Sequence, residues 1–438
     1  MDTPSGFKHL FRALGARNYR LFFTGQALSL LGTWVQQVGV GWLAYRLTKS
    51  PAWLGLIAFS SQIPTFLAAP FAGVLTDRWN KRTILLVTQI LAMAQAALLT
   101  LLVLTGTIAP WHLVVLSIWA GTISGFEMTT RHSLLVEMVD DKDHLGNAIA
   151  LNSALFNSSR LIGPALAGFL IAAVGEGICF LINTISFFAI IIALVRIDNR
   201  PKAGRKSGNG VFREMKEGFS YTIRNHTIRS LIILIAVISF AGYPFGAFLP
   251  VFAKDIFKGG PETLGLLTSA IGLGALAGAL LLAKRKTLKG SGKQIALAAI
   301  LFGGSLAIVS HAGNLAIALA VLPLAGYGMM TQSALGNTLL QAVVDDDKRG
   351  RVLSFYIMAF IGMAPLGSLV QGWIAHARPG NIRPVMMAGG LVCLFAGLLF
   401  LFRLPRFRRE ARALLESKDA RIKIEQGIET ASQIQDRK

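Results

Sequence analysis

Long apolar runs separated by short polar segments dominate the chain. They lie near 21–45, 53–76, 83–106, 111–134, 147–173, 177–196, 229–252, 263–283, 294–311, 314–339, 351–375 and 383–403. A helix needs about 20 mainly apolar residues to cross a bilayer. The pattern therefore predicts an all-α membrane protein with twelve spanning helices.

The polar breaks differ in charge from one to the next. With odd and even breaks assigned to opposite sides, the side holding the N-terminus carries 36 Lys and Arg and the other carries 6. Cytoplasmic loops of membrane proteins carry the excess of basic residues, so both termini are expected in the cytoplasm. The longest break, 197–228, contains Pro201, Gly204, Gly208 and Gly210 among many basic residues. It divides the chain into an N-terminal tail (1–20), a six-helix bundle (21–196), a linker (197–228), a second six-helix bundle (229–403) and a C-terminal tail (404–438). That last tail is charged and partly helical in pattern, with Ala411, Leu414, Leu415 and Ile422 apolar. It is expected at the membrane surface or in the cytosol.

Short matches link the halves. Ser50-Pro51-Ala52-Trp53-Leu54-Gly55-Leu56 recurs 210 residues later as Gly260-Pro261-Glu262-Thr263-Leu264-Gly265-Leu266. Val139-Asp140-Asp141 recurs 205 residues later as Val344-Asp345-Asp346. The two similar offsets predict a duplicated six-helix unit and hence pseudo-symmetry between the bundles.

Composition agrees with this reading. The chain is 53% hydrophobic and only 15% charged, against roughly 25% charged in soluble domains. Its net charge of +21 sits between apolar runs rather than on a polar surface, so no nucleic-acid partner is expected. Cys179 and Cys393 both fall inside apolar runs and read as packing residues. The first apolar run has no small-residue cleavage site and reads as a retained helix. No phosphate-cradling glycine loop, nucleophile constellation or metal-ligand spacing is present, so neither an enzyme nor a cofactor is expected.

The sharpest motif follows the second span: Gly73-Val74-Leu75-Thr76-Asp77-Arg78-Trp79-Asn80-Lys81-Arg82. Small residues permit close helix approach. An acid at a helix end surrounded by cations can make and break charged contacts as a conformational gate. The alternative is a solvated basic loop. This stretch resembles the signature G-x-L-a-D-r-x-x-r-[RK]-[RK] of the major facilitator superfamily, through Gly73, Asp77, Arg78 and Arg82. The equivalent place in the second half, Ala283-Lys284-Arg285-Lys286-Thr287, lacks the acid.

The fifth span carries Gly163, Pro164 and Gly168. Pro164 removes a backbone donor and the glycines allow close packing. This resembles a shortened form of the family's exporter-associated motif, without its upstream glycines; a packing kink alone is the alternative. Gly32-Thr33-Trp34-Val35-Gln36-Gln37, Phe126-Glu127-Met128-Thr129-Thr130-Arg131-His132, Asn147 to Ser153, Phe156-Asn157, Arg160 and Gly163-Pro164 together resemble the enterobactin-exporter-like branch, also called transmembrane secretion effectors. The resemblance covers the membrane region to about residue 403. It implies export of siderophores, macrolide-like drugs or other metabolites by proton antiport, from a monomer in a bacterial inner membrane.

Charges within spans are costly and usually face a cavity or a partner. Glu127 is the acid well inside a span, with Arg131 one helical turn on. It is the candidate proton-coupling group; a structural Glu127–Arg131 pair is the alternative. Arg160 lies near the middle of the fifth span and is a candidate for attracting an anionic cargo or for holding helix carbonyls or Asn152. Gln36, Gln37, Asn152, Asn157, Tyr243, Gln332 and Asn337 are candidates to line the cavity, each equally able to act as glue between helices. An importer, a lysophospholipid flippase, or a non-transporting sensor or scaffold remain rival readings.

Overall fold

The computed structural model describes residues 12–138, 142–197, 220–285, 287–288, 290–345, 348–377 and 382–412. The described residues are helical nearly throughout. We label the helices α1 (Arg17–Thr48), α2 (Pro51–Arg78), α3 (Lys81–Leu104), α4 (Pro110–Glu137), α5 (Lys142–Arg196), α6 (His226–Ala241), α7 (Pro261–Ala283), α8 (Ser291–His311), α9 (Leu315–Val343), α10 (Arg349–Ile357), α11 (Met363–Ala377) and α12 (Ile382–Phe402).

Sequence chemistry explains the ends. Pro begins α2, α4 and α7, where its missing N–H costs nothing. Asn80 and Asn225 cap α3 and α6 by accepting from the first free backbone N–H groups. Asn314 does the same for α9.

Ten helical stretches among the described residues are long and apolar enough to cross a membrane, so the protein is all-α and multi-pass. The sequence pattern predicts twelve, and the structure differs from it in two places. α1 is helical over 32 residues, but Arg17, Arg20, Gln26, Gln36, Gln37 and Arg46 dilute its apolar run. The expected fifth and sixth spans form one helical stretch, 145–196. Straight, those 52 residues would reach about 78 Å, far beyond a hydrocarbon core of about 30 Å.

The stretch is not straight. Helical geometry continues through Pro164 and breaks instead at Gly175, with φ 79° and ψ 167°. That conformation is open to glycine and strained for any other residue. The two limbs return to the same end. The Tyr19 hydroxyl donates to the Ala148 carbonyl at 2.9 Å, and Tyr19, Ala148, Ile190 and Leu194 share one buried cluster.

Two further irregularities interrupt apolar stretches. After α6 the chain runs as a 3₁₀ turn, Tyr243–Phe248, and then a π-turn, Phe252–Ile256. Pro244 and Pro250 remove backbone donors here. α10 and α11 are joined by a second π-turn, Met358–Gly362, just before Pro365. Such turns often mark functional hinges.

Helices 17–196 and 226–402 meet near the end bearing Pro51, Pro110 and Pro261, called here the Pro51 end. Tyr45 donates to Asp255. The Lys254 ammonium lies 5.7 Å over the Trp42 ring. Ser50 Oγ and His376 Nδ1 are 3.2 Å apart. α2 crosses α11 so closely that a Cβ on Gly55 would lie 2.3 Å from the Ser368 carbonyl oxygen. At mid-length α2 also meets the π-turn that precedes α11, where Phe66 faces Gly362.

Large apolar side chains face outward along the helices: Phe402 is 80% exposed, and Trp373, Phe395 and Leu281 are also exposed. An aqueous surface does not tolerate so much contiguous apolar area, whereas lipid solvates it. Cys179 and Cys393 are both fully buried and unpaired.

Candidate functional site

The α2–α3 turn brings basic residues onto helix ends of its own half. Arg82 Nε donates to the Leu194 carbonyl at 2.6 Å and Nη2 to that of Val195 at 2.5 Å. A cation is favourable at the C-terminus of a helix, where carbonyls lack intrahelical partners. Lys81 pairs with Glu137 at the end of α4, and Thr76 Oγ1 lies 3.0 Å from Thr130 Oγ1. Arg78 is exposed. The Asp77 backbone occupies the last turn of α2, and its side chain lies outside the described residues. A Cβ on Gly73 would meet nothing within 4 Å. The close helix approach expected at that glycine is therefore absent.

The α5 glycines do sit at crossings. A Cβ on Gly163 would fall 2.7 Å from Cβ of Trp34 in α1, and one on Gly168 2.5 Å from the Pro261 carbonyl oxygen of α7. From the other side, a Cβ on Gly265 would lie 2.5 Å from the Pro164 carbonyl. Gly272, two turns along α7, packs against the backbone of Arg160.

Arg160 is thus anchored by its backbone while its side chain is left without a partner. Among the described residues nothing forms a hydrogen bond or ion pair with its guanidinium, and none of its nitrogens is sealed from solvent. The Tyr243 phenol lies close enough to interact with its charge. Tyr243 in turn points toward buried Gln332, with Oη 3.5 Å from Oε1. Its ring packs edge-on against Phe302 and Phe360 at 5.7 and 5.6 Å.

Glu127 and Arg131 form an ion pair across one turn of α4, at 3.0 Å. The Arg131 guanidinium also stacks 4.3 Å over the Phe156 ring of α5. This charge therefore has both an anion and a π-face, unlike that of Arg160.

The remaining polar candidates divide in two. Gln36 is fully engaged between helices: its Nε2 donates to Gln95 at 2.9 Å and its Oε1 accepts from Asn183 at 2.8 Å. Gln95 continues to the Leu116 carbonyl at 3.3 Å. This network joins α1, α3, α4 and α5 and is glue rather than cavity lining. Asn152 is buried. Asn157 donates to the Ser153 carbonyl at 2.8 Å, and Gln341 to Asn337 at 3.3 Å. Gln37 and Thr33, one turn apart on α1, are exposed.

Sequence reasoning missed Gln95 and Asn183 as partners of Gln36, because spacing along the chain does not reveal contacts between helices. It also missed Asp255, which falls just past its span and looked like a loop residue. Among the described residues, no group of three or more His, Cys, Asp or Glu side chains is placed to hold a metal ion.

Comparison with known proteins fits this architecture. The transmembrane secretion effector family profile matches residues 10–428. The staphyloferrin A transporter of Staphylococcus aureus is 26% identical over 398 residues, covering 89% of this chain and 98% of that protein. The multidrug efflux pump Tap of Mycolicibacterium fortuitum is 24% identical over 386 residues, covering 86% and 93%. A bacterial homolog of the human lysosomal transporter Spinster, solved in an inward-facing and occupied conformation, shares the fold with a TM-score of 0.68 at 14% identity, covering 90% and 98%. The chain belongs to the transmembrane secretion effector family and is a major facilitator-type secondary transporter of small molecules across a membrane, not an enzyme.

Proposed function

We propose that this transporter is a proton-driven exporter of small organic molecules of the siderophore or macrolide-like class. It alternates between two six-helix halves, 21–196 and 229–403, in an inner membrane with both termini cytoplasmic. The observation that carries the reading is Arg160, a guanidinium deep in a membrane helix that is not fully sealed and has no acidic partner among the described residues. A charge so placed is costly unless water or a ligand reaches it. Its neighbours Tyr243 and Gln332 add a hydroxyl and an amide to the same wall.

The contacts at the Pro51 end, from Tyr45–Asp255 to Phe66–Gly362, support a state closed on the outer side, with the cavity open toward the basic, cytoplasmic end. Opening the other way requires those contacts to break. The α2–α3 turn then gates the cytoplasmic side, with Asp77 meeting the second half. Glu127 is the proton-coupling acid and Arg131 the charge it releases when protonated. The names of the relatives, a siderophore transporter and a drug efflux pump, support the cargo class.

Everted membrane vesicles with an imposed proton gradient and a pH-sensitive dye test this. A panel of siderophores, macrolides, dyes and lysophospholipids is added in turn. Gradient collapse is expected with a siderophore or macrolide, and is lost in Asp77→Asn and Glu127→Gln vesicles. No collapse with any compound, from protein shown to be folded, rules out proton-coupled export of this cargo class. Coupling retained in Glu127→Gln removes that residue from the role.

A further inference from the structure

The chain continues past α12 into a short helix, 404–412, that no part of the transport cycle above uses. Its two faces differ sharply. Leu404, Phe407 and Ala411 are buried at 5%, 3% and 7% exposure. Leu404 and Phe407 close over Gly292 at the start of α8, where an added Cβ would lie 2.9 Å from Leu404. The Phe407 ring also packs against Phe400 of α12 at 5.0 Å. Glu410 holds the far end: it accepts from Arg406 at 3.0 Å and from Thr227 at 3.4 Å, and lies 3.4 Å from His226. The helix is thus fixed to the N-terminus of α6 and cannot turn its apolar face elsewhere.

Outside that buried stripe, Arg408, Arg409 and Arg412 are exposed along one flank and the back of the helix, and Arg403 is exposed in the turn just before it. Among the described residues, none of these four has an acidic partner. The helix starts within two residues of the end of α12, whose last residue, Phe402, is 80% exposed to the lipid. Its arginines therefore sit within about 15 Å, at 1.5 Å per residue, of the point where the chain leaves the hydrocarbon. That is headgroup depth. Guanidinium groups pair bidentately with phosphate oxygens, and clustered basic residues beside a membrane helix draw anionic lipids to the surface.

We propose that this cluster of four exposed arginines is a docking surface for anionic phospholipid headgroups of the adjoining leaflet. Through Glu410 and His226, lipid bound there also braces the first helix of the second half.

Native mass spectrometry of the full-length protein, extracted from vesicles of equal phosphatidylglycerol and phosphatidylcholine, tests it. Wild-type protein is expected to retain phosphatidylglycerol selectively. The quadruple variant Arg403→Gln, Arg408→Gln, Arg409→Gln and Arg412→Gln is expected to retain less by about tenfold or more. Lys at the same four positions keeps the charge and should keep most of the retention. Equal retention of the two lipids by wild-type protein, or unchanged selectivity in the Gln variant, overturns the proposal. If the Gln variant does not fold, the salt dependence of wild-type retention decides: electrostatic docking weakens as salt rises, and salt-independent retention counts against it.

Discussion

Arg160 and Gln36 are both polar groups inside apolar helices, and the structure treats them differently. Gln36 satisfies its donor and its acceptor within α1–α5, whereas the Arg160 guanidinium has no hydrogen-bond or ion-pair partner among the described residues. The two should fail differently when changed. Gln36→Ala orphans Gln95 and Asn183 and is expected to cost about 1–2 kcal/mol, near the upper end for hydrogen bonds between membrane helices. It should lower the thermal unfolding midpoint in detergent while the surviving folded protein still transports. Arg160→Gln should leave that midpoint nearly unchanged and impair transport. If Arg160→Gln instead prevents folding, its role is structural. Sequence alone marked both residues as cavity candidates. Polarity at a buried position is legible in a chain, but whether a partner is waiting across the helix interface is not.

Elements show the same division between what a sequence carries and what packing adds. The positions of the apolar helices follow from their runs, because length and hydropathy are local properties. The gap between the expected fifth and sixth spans, 174–176, holds the break seen at Gly175, but the backbone conformation there does not follow from hydropathy. Pro164 is the conspicuous helix breaker of α5, yet the helix passes through it. A proline in a membrane helix loses one hydrogen bond that neighbours can replace, while a full reversal needs a backbone conformation only glycine takes readily. Gly175→Ala is therefore expected to cost about 1–3 kcal/mol, although its side chain would meet nothing within 4 Å. Gly146→Ala, also unobstructed but in ordinary helix, should be neutral or stabilising by up to about 1 kcal/mol. Unfolding midpoints of the two variants measured side by side separate backbone strain from packing. Equal midpoints would show that the turn at Gly175 does not require positive φ. At the other kind of element boundary, Asn80→Ala removes the α3 cap and should cost about 1 kcal/mol.

At the scale of the whole molecule, helices 17–196 and 226–402 meet both where the Gly163-Pro164-Gly168 motif of α5 packs on α7 and through polar contacts at the Pro51 end that no motif announced. Asp255 sits in a π-turn past the end of the span expected from the sequence, and its partner Tyr45 comes from α1. Tyr45→Phe deletes that hydrogen bond and should weaken the closure by about 1 kcal/mol, discounted because Asp255 is exposed. Hydrogen–deuterium exchange is expected to quicken in peptides covering 42–48 and 252–257, and to stay unchanged around the Gln36 network. Uniform exchange across the molecule would show that this pair does not hold the halves. The short repeat matches in the sequence did not show which helix ends touch, because that depends on the conformation and not on local pattern.

The burial of both native thiols has a practical consequence for watching the molecule move. Cys179 and Cys393 are sealed in the core, so maleimide reagents have no endogenous target on the folded protein. The wild-type chain already serves as a silent background for thiol-specific labels. A single Ser50→Cys, at the contact with His376, would then report opening of the Pro51 end by its own rate of modification. That rate should rise whenever cargo or a proton gradient drives the cycle.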